Sequence, residues 1–156
     1  YWDEIIETNL TGVMLCCQVV GSRMAAAGRG SIINVGSMYG IVSPNQALYA
    51  YREKRDGKPF VKAISYAASK SGLVNMTRYL ATYWAEKNVR VNLVTFGGVK
   101  TATFDKEFID AFLDRVPMRR QAEIEEFSGV IHFLGSEASS YVTGSNVVVD
   151  GGFTAW

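Results

Sequence analysis

Apolar residues recur at helical spacing along the first part of the chain. This spacing predicts one long helix over Tyr1–Ala27, and its apolar positions are Ile5, Ile6, Val13, Cys17, Val20 and Met24. The stretch Thr8–Gly12 in its middle is poor in helix-forming residues. A helix that keeps Asn and Gly in its interior usually has a packing or functional reason to do so. The glycine-rich turn at 28–30 predicts where the helix ends.

Three short apolar runs predict strands of a buried parallel sheet. They are Ser31–Val35, Val89–Val94 and Asn146–Asp150. Helical patterns alternate with them at Ser65–Lys87, Asp105–Arg115 and Ile124–Gly135, and residues 38–63 are predicted to form a long loop of the kind that often binds ligands. Alternating strands and helices are typical of an α/β fold with a parallel sheet, here as one domain over residues 1–156.

Composition and charge exclude several classes of function. The 156 residues are 48% hydrophobic, and 16 basic residues balance 15 acidic ones to a net charge of +1. Neither a nucleic-acid partner nor an anionic membrane partner is expected from this balance. A single histidine makes a metal site or a Ser-His-Asp triad an unlikely basis for function, so no metal is predicted. The sequence has no export signal and no evident apolar run of about 18 residues, so we expect a cytoplasmic protein that does not span a membrane.

Candidate chemistry is concentrated where predicted strands end. Gly36-Ser37 follows the first strand and Gly97-Gly98 follows the second, and ligands of open parallel sheets bind outside the carboxyl ends of the strands. Tyr66 and Lys70 open the next helix four residues apart, so they share a face. A phenol has a pKa of about 10, and a nearby ammonium favours its phenolate form. A tyrosine so placed can exchange a proton with an alcohol or ketone oxygen.

These motifs together resemble the short-chain dehydrogenase/reductase family, classical type. The segment Ser65–Leu73 resembles its active-site segment, and Ile32–Gly40 resembles the strand that carries its catalytic serine. The resemblance continues in order through four further segments, which are Trp2–Gly12, Val89–Asn92 with Gly97–Thr101, Tyr141–Gly144 and Val149–Gly152. It covers essentially the whole chain.

The resemblance implies a fold, a cofactor and a set of site residues. The fold is the C-terminal part of a Rossmann-like doubly wound parallel sheet, and the cofactor is NAD or NADP. Ser37 would hold the substrate oxygen and Tyr66 would give or take its proton. Lys70 would favour the phenolate and hold the nicotinamide ribose, and Asn9 would hold a water that relays protons to Lys70. The cofactor would also meet Tyr66 itself and the loop residues Gly97, Gly98, Val99 and Thr101.

Three features depart from the family pattern. Phe96 stands where the family has a proline before the glycine loop, which predicts a less rigid loop and an altered nicotinamide pocket. About 17 extra residues, roughly Ala47–Ala63, are expected to lie over or beside the substrate site. The N-terminal strands and the glycine-rich pyrophosphate turn are missing, so we expect this chain alone to fold poorly or to bind cofactor weakly.

The implied function is an oxidoreductase that transfers a hydride between NAD(P)(H) and a secondary alcohol or ketone. Within the family, the chain resembles members that act on sugars, sugar acids or polyols, with a 3-oxoacyl-type reductase as the alternative. A second alternative is a non-catalytic nucleotide-binding or scaffolding domain. The resemblance also implies a homo-oligomer, a tetramer or a dimer, with a small-molecule substrate as the other partner.

Overall fold

The computed structural model, which describes residues 1–156, has a three-stranded parallel sheet with helices packed against it. The strands are β1 (Gly30–Ser37), β2 (Val89–Phe96) and β3 (Asn146–Val149), in the order β1-β2-β3. The β1–β2 ladder runs from the pair Gly30 and Val89 to the pair Ser37 and Phe96. The expected α/β class with a parallel sheet is confirmed.

Five helices connect and flank the strands. They are α1 (Trp2–Ala27), α2 (Ala50–Asp56), α3 (Ile64–Trp84), α4 (Lys106–Leu113) and α5 (Ser128–Gly135). Single turns of 3-10 helix lie at Met38–Gly40, Gln46–Tyr49, Ala85–Lys87, Ile124–Phe127 and Glu137–Ser139. The helices predicted from periodicity are therefore present, and the bounds of α3 and α4 lie within three residues of the expected ones.

Helix α1 contains two π-helical turns, at Glu7–Thr11 and Cys17–Gly21. The first of these overlaps Thr8–Gly12, the stretch whose residues are poor helix formers. An 18-residue window of α1 has a mean hydropathy of 1.3, and 11% of it is buried, so by length and composition alone the helix could cross a membrane. The expectation that no segment is apolar enough to do so was wrong, although core helices of soluble proteins have the same character.

Two sequence-based expectations about the first strand and the loop after it need correction. Gly36 and Ser37 belong to β1 itself, because the ladder to β2 continues through them. The 38–63 segment is not a structureless loop, because it contains α2 and two 3-10 turns. Helix α2 has no apolar face of its own that periodicity could reveal, and hydrogen bonds to Asp105, the residue before α4, hold it in place.

The core is divided into two clusters along the sheet. One lies between α1, α3 and the start of β2, and it contains Cys17, Ala81, Trp84, Val89 and Val91. The other, which we call the aromatic cluster, consists of Met38, Tyr39, Leu48, Tyr49, Phe108, Phe112 and Val116. The aromatic cluster joins the 38–63 segment to α4 at the carboxyl end of the sheet. It therefore shapes the edge at which the candidate site residues lie.

Candidate active site

Tyr66 and Lys70 lie side by side on the first two turns of α3. The Lys70 ammonium nitrogen is 6.0 Å from the centroid of the Tyr66 ring, so the prediction that the two share a face is confirmed. Tyr66 is partly buried against the aromatic cluster. Its hydroxyl forms no hydrogen bond within the protein, whereas its main-chain carbonyl accepts one from Ser69. The phenol is therefore free to bond a ligand oxygen.

Lys70 is fixed at the carboxyl end of β1 by the main chain. Its Nζ donates a hydrogen bond to the carbonyl oxygen of Val35 at 3.0 Å. No carboxylate pairs with it, and burial lowers the pKa of Lys70 from the usual value. An ammonium has three N–H donors, and only one is used here. Two donors therefore remain for a ligand.

Ser37 lies at the end of β1, directly before a tight turn that packs on α3. Its Oγ accepts a hydrogen bond from the Tyr39 N–H at 3.3 Å. The turn approaches α3 so closely that a Cβ on Gly40 would lie 2.7 Å from the Lys70 carbonyl oxygen, and the Ser71 hydroxyl donates to the Gly40 carbonyl at 2.9 Å. Ser37 and Tyr66 are not hydrogen-bonded to each other, but this packing brings the end of β1 against the first turns of α3.

Asn9 lies in the first π-helical turn of α1, and its side chain forms a hydrogen bond with Ser69 of α3. Its Nδ2 donates to the Ser69 hydroxyl at 3.4 Å, and Ser69 in turn donates to the Tyr66 carbonyl at 2.8 Å. π-Helical turns inside α-helices often occur at functional sites. Asn9 is thus coupled to the turn that carries Tyr66, and its role in holding a water stays a prediction.

The loop after β2 is held by main-chain bonds to its neighbours. The Gly97 N–H donates to the Val149 carbonyl at 2.9 Å, and the Gly98 carbonyl accepts from Ala122 at 3.0 Å. Val99 forms an isolated parallel bridge with Ala122. The Thr101 hydroxyl lies 3.1 Å from that of Thr103 and forms no hydrogen bond with Tyr66 or Lys70. This loop therefore follows the strand end that pairs with the end of β1, without a hydrogen bond to the tyrosine.

Phe96, in the position of the family's proline, ends β2 opposite Ser37. Its ring packs against Phe127 with 4.2 Å between the ring centroids. Because β2 pairs normally up to this residue, the strand does not end early. The side chain fills space between the sheet and the 3-10 turn that precedes α5.

The 38–63 segment is attached to the start of α4 through one carboxylate. Asp105 accepts hydrogen bonds from the Tyr51 hydroxyl, from Arg52 at 3.2 Å and from Arg55 at 2.7 Å. The Tyr51 hydroxyl and the Arg55 guanidinium hold the pKa of Asp105 below its usual value. Tyr49 also stacks on Phe108, with ring centroids 5.3 Å apart. Sequence reasoning missed this attachment, because its partners are about 50 residues apart along the chain.

Two further side chains beside Tyr66 were not identified from the sequence. The Lys62 Nζ lies 4.9 Å from the centroid of the Tyr66 ring. The Tyr39 hydroxyl is buried without a well-formed hydrogen bond, although the Tyr49 phenol lies next to it, and burial raises the pKa of Tyr39 far above its usual value. Only the position of Lys62 four residues before Tyr66 could have indicated that the two side chains meet.

A cavity of about 810 Å³ opens between the start of α1, the start of α3 and the 38–63 segment. Its lining is mostly apolar, and Lys62 is the only acidic or basic side chain in it. Ser37, Tyr66 and Lys70 do not line this cavity, although Tyr39 and Ser65 do. The cavity therefore adjoins the candidate catalytic residues without containing them.

Comparison with known proteins gives consistent matches over almost the whole chain. The family model described as enoyl-(acyl carrier protein) reductase matches residues 1–154. The chain is 36% identical to a galactitol 2-dehydrogenase (L-tagatose-forming) of Cereibacter sphaeroides, over 99% of the chain and 58% of that protein. It is 37% identical to a 3-oxoacyl-[acyl-carrier-protein] reductase of Thermotoga maritima, over 97% and 56% respectively. The chain thus spans little more than half the length of these relatives.

Solved structures match the fold equally well. A gluconate 5-dehydrogenase from Burkholderia cenocepacia in complex with NADP and tartrate matches with a TM-score of 0.84 and 29% identity, over 99% of this chain and 56% of that one. A short chain dehydrogenase from Leptospira borgpetersenii with bound NAD⁺ matches with a TM-score of 0.87 and 32% identity, over 98% and 56% respectively. In both, the matched region is again little more than half of the longer chain.

Proposed function

Because the chain belongs to the short-chain dehydrogenase/reductase family, we propose that the full-length protein transfers a hydride between NAD(P)(H) and a secondary alcohol or ketone. The observation that carries this proposal is the placement of Lys70 beside Tyr66 at the carboxyl end of β1. A phenol next to an ammonium is suited to exchange a proton with a carbinol oxygen.

The proposed roles are those that the family resemblance implies for each side chain. Tyr66 gives or takes the proton of the substrate oxygen, and Ser37 holds that oxygen with its hydroxyl. Lys70 stabilises the phenolate by its charge. Asn9, coupled to the Tyr66 turn through Ser69, holds a water that exchanges protons with Lys70.

The residues of this chain fit one end of a nicotinamide cofactor. The two unused N–H donors of Lys70 suit the paired hydroxyls of a ribose, and the backbone of residues 97–101 lies at the adjacent strand end. When bound, the cofactor supplies the hydride acceptor or donor. We propose that residues 1–156 form the part of an NAD(P)-binding domain that carries the catalytic residues, and that strands outside this chain complete it.

For the substrate, we propose a sugar, a sugar acid or a polyol. This choice is supported by the galactitol and gluconate dehydrogenases among the similar proteins. The relative that acts as a 3-oxoacyl-[acyl-carrier-protein] reductase and the mostly apolar cavity beside α3 favour a 3-oxoacyl thioester as the second candidate.

We also propose that the protein is a homo-oligomer. Five large apolar side chains of α1 are between 40 and 54% exposed, namely Trp2, Met14, Leu15, Val19 and Val20. Burying such a surface against a second copy removes apolar area from water. Light scattering on the full-length protein should give a dimer or a tetramer, and Val19→Asp should reduce the mass whereas Ile124→Asp, at an exposed aliphatic position outside α1, should not.

The function is tested on the full-length protein with NAD⁺ and NADP⁺ and a set of alcohols that includes galactitol, gluconate and a 3-hydroxybutyryl thioester. Tyr66→Phe should lower kcat/KM by about 10²- to 10⁴-fold and change the cofactor Kd far less. Tyr79→Phe, at an exposed tyrosine of the same helix, is the matched control. Full activity in Tyr66→Phe, or no binding of either cofactor, would contradict the proposal.

A further inference from the structure

Lys62 is a basic side chain held close to the proposed proton-transfer residue. Its Nζ lies 4.9 Å from the Tyr66 ring centroid, nearer than the 6.0 Å of Lys70. Its main chain is fixed, because its N–H donates to the Gln46 side-chain oxygen at 2.9 Å. The ammonium thus has a defined position next to the tyrosine.

This ammonium has no acidic partner in the protein. Lys62 forms none of the salt bridges, and its Nζ makes no hydrogen bond. The nearby Arg52 and Arg55, by contrast, both bind Asp105. Lys54 and Lys58 are also unpaired, but they are exposed and water can solvate them fully.

The surroundings of Lys62 disfavour an unpaired charge. The side chain is only partly exposed, and burial together with the nearby Arg52 lowers the pKa of Lys62 from its usual value. A partly desolvated cation without a counter-ion is costly. An anionic group placed beside it would restore favourable interactions, and a carboxylate does so with charge-assisted hydrogen bonds.

We propose that Lys62 binds a carboxylate of the substrate, and that the protein therefore acts on hydroxy acids of the sugar-acid class in preference to neutral polyols. This inference rests on the proposed function, because it places the reacting carbinol at Tyr66. A substrate whose carbinol lies at the Tyr66 hydroxyl can place a carboxylate on Lys62 if its carbon chain runs back along the ring face that Lys62 covers. Lys62 acts on selectivity, and the proton transfer itself stays with Tyr66.

The test compares two six-carbon substrates that differ in one terminal group. Gluconate carries a carboxylate where glucitol carries a hydroxymethyl group, and the full-length enzyme is assayed with both. In Lys62→Gln, the ratio of kcat/KM for gluconate to kcat/KM for glucitol should fall about 10- to 100-fold, the usual weight of a charge-assisted hydrogen bond. The loss should appear mainly in the KM for gluconate. Lys58→Gln makes the same charge change at an exposed position of the same segment and should keep the wild-type ratio.

Several results would overturn the inference while leaving the proposed function intact. One is an unchanged ratio in Lys62→Gln, and another is a wild-type enzyme that oxidises glucitol but not gluconate. A stronger activity towards glucitol 6-phosphate than towards gluconate would replace the carboxylate by a phosphate.

A binding measurement separates failure of this inference from failure of the proposed function. Calorimetric titration of the full-length protein and its cofactor with gluconate needs no turnover. Binding that is lost in Lys62→Gln but kept in Lys58→Gln would support the inference even if the enzyme were inactive. Absence of gluconate binding to the wild type would overturn it.

Discussion

Lys70 donates a hydrogen bond from Nζ to the carbonyl oxygen of Val35 at 3.0 Å. This bond joins the second turn of α3 to β1 two residues before Ser37. The position of the ammonium is therefore set by the sheet as well as by the helix. The ammonium thus lies at the carboxyl end of β1 and beside the Tyr66 ring.

Replacement of Lys70 by methionine should impair the reaction far more than the fold. The variant loses the charge beside Tyr66 and the donors proposed for the ribose, so kcat/KM should fall about 100-fold or more and the cofactor Kd should rise. Steady-state kinetics and cofactor titration on the full-length protein measure both quantities. Lys87→Met, at an exposed lysine after the same helix, should behave like the wild type. Wild-type kinetics in Lys70→Met would exclude the proposed role.

Glu126 gives a prediction about pH. The Arg120 guanidinium donates two hydrogen bonds to the Glu126 carboxylate, at 2.6 and 2.7 Å. These bonds, together with one from the Glu123 N–H, lower the pKa of Glu126 from 4.5 to about 2. Since the folded-state pKa lies below the unfolded one, the stabilisation is fully present above pH 4.5 and is lost as pH falls through about 2.

Glu126→Gln should therefore lower the melting temperature at neutral pH, and its difference from the wild type should shrink towards pH 2. Thermal unfolding over this pH range measures the effect. The control is Glu125→Gln, because Glu125 forms no ion pair in the structure. A difference between Glu126→Gln and the wild type that stays constant with pH would show that the ionised pair is not its source.

Local pattern in the sequence was sufficient to predict the sheet and the pairing of Tyr66 with Lys70. Alternation of short apolar runs with helical periodicity fixes the class of fold, and a spacing of four residues on a helix fixes a shared face. Both features depend on residues close together in the chain, so no long-range information was needed.

Features set by distant contacts could not be predicted in this way. Helix α2 is held by Asp105, and its mostly charged sequence carries no periodic apolar signal. Strand β1 extends to Ser37 because β2 offers partners up to Phe96, which only the assembled ladder reveals. The place of Lys62 depends on how the 38–63 segment returns to α3, a path that Gln46 helps to fix.

Gly98 was predicted to meet the cofactor, and the structure gives it a packing role as well. A Cβ at this position would lie 2.6 Å from a ring atom of Phe112, which is 1% exposed in the aromatic cluster. Gly98→Ala should therefore displace the ring and reduce the free energy of unfolding by about 1–3 kcal/mol. Chemical denaturation of the full-length protein measures this change.

Gly129→Ala is the matched control for the Gly98 prediction. Gly129 lies in α5 with no atom within 4 Å of an added Cβ, so its replacement should be neutral or slightly stabilising, by up to about 1 kcal/mol. Equal effects of the two substitutions would show that contact with Phe112 does not limit the side chain at position 98.

Asp105 fastens the 38–63 segment to the start of α4, so its replacement should loosen that segment. In Asp105→Asn the charge that binds Arg52 and Arg55 is lost, and the segment should open more often because fewer contacts oppose local unfolding. Limited trypsin digestion of the full-length protein should cut after these arginines several-fold faster, roughly in proportion to the population of the open form. Asp114→Asn is the control, because its only ion pair is an exposed one with Arg119, at the opposite end of α4 from the attachment. If the Asp105 and Asp114 variants were cut at the wild-type rate, the aromatic stacking of Tyr49 on Phe108 would have to hold the segment without the carboxylate.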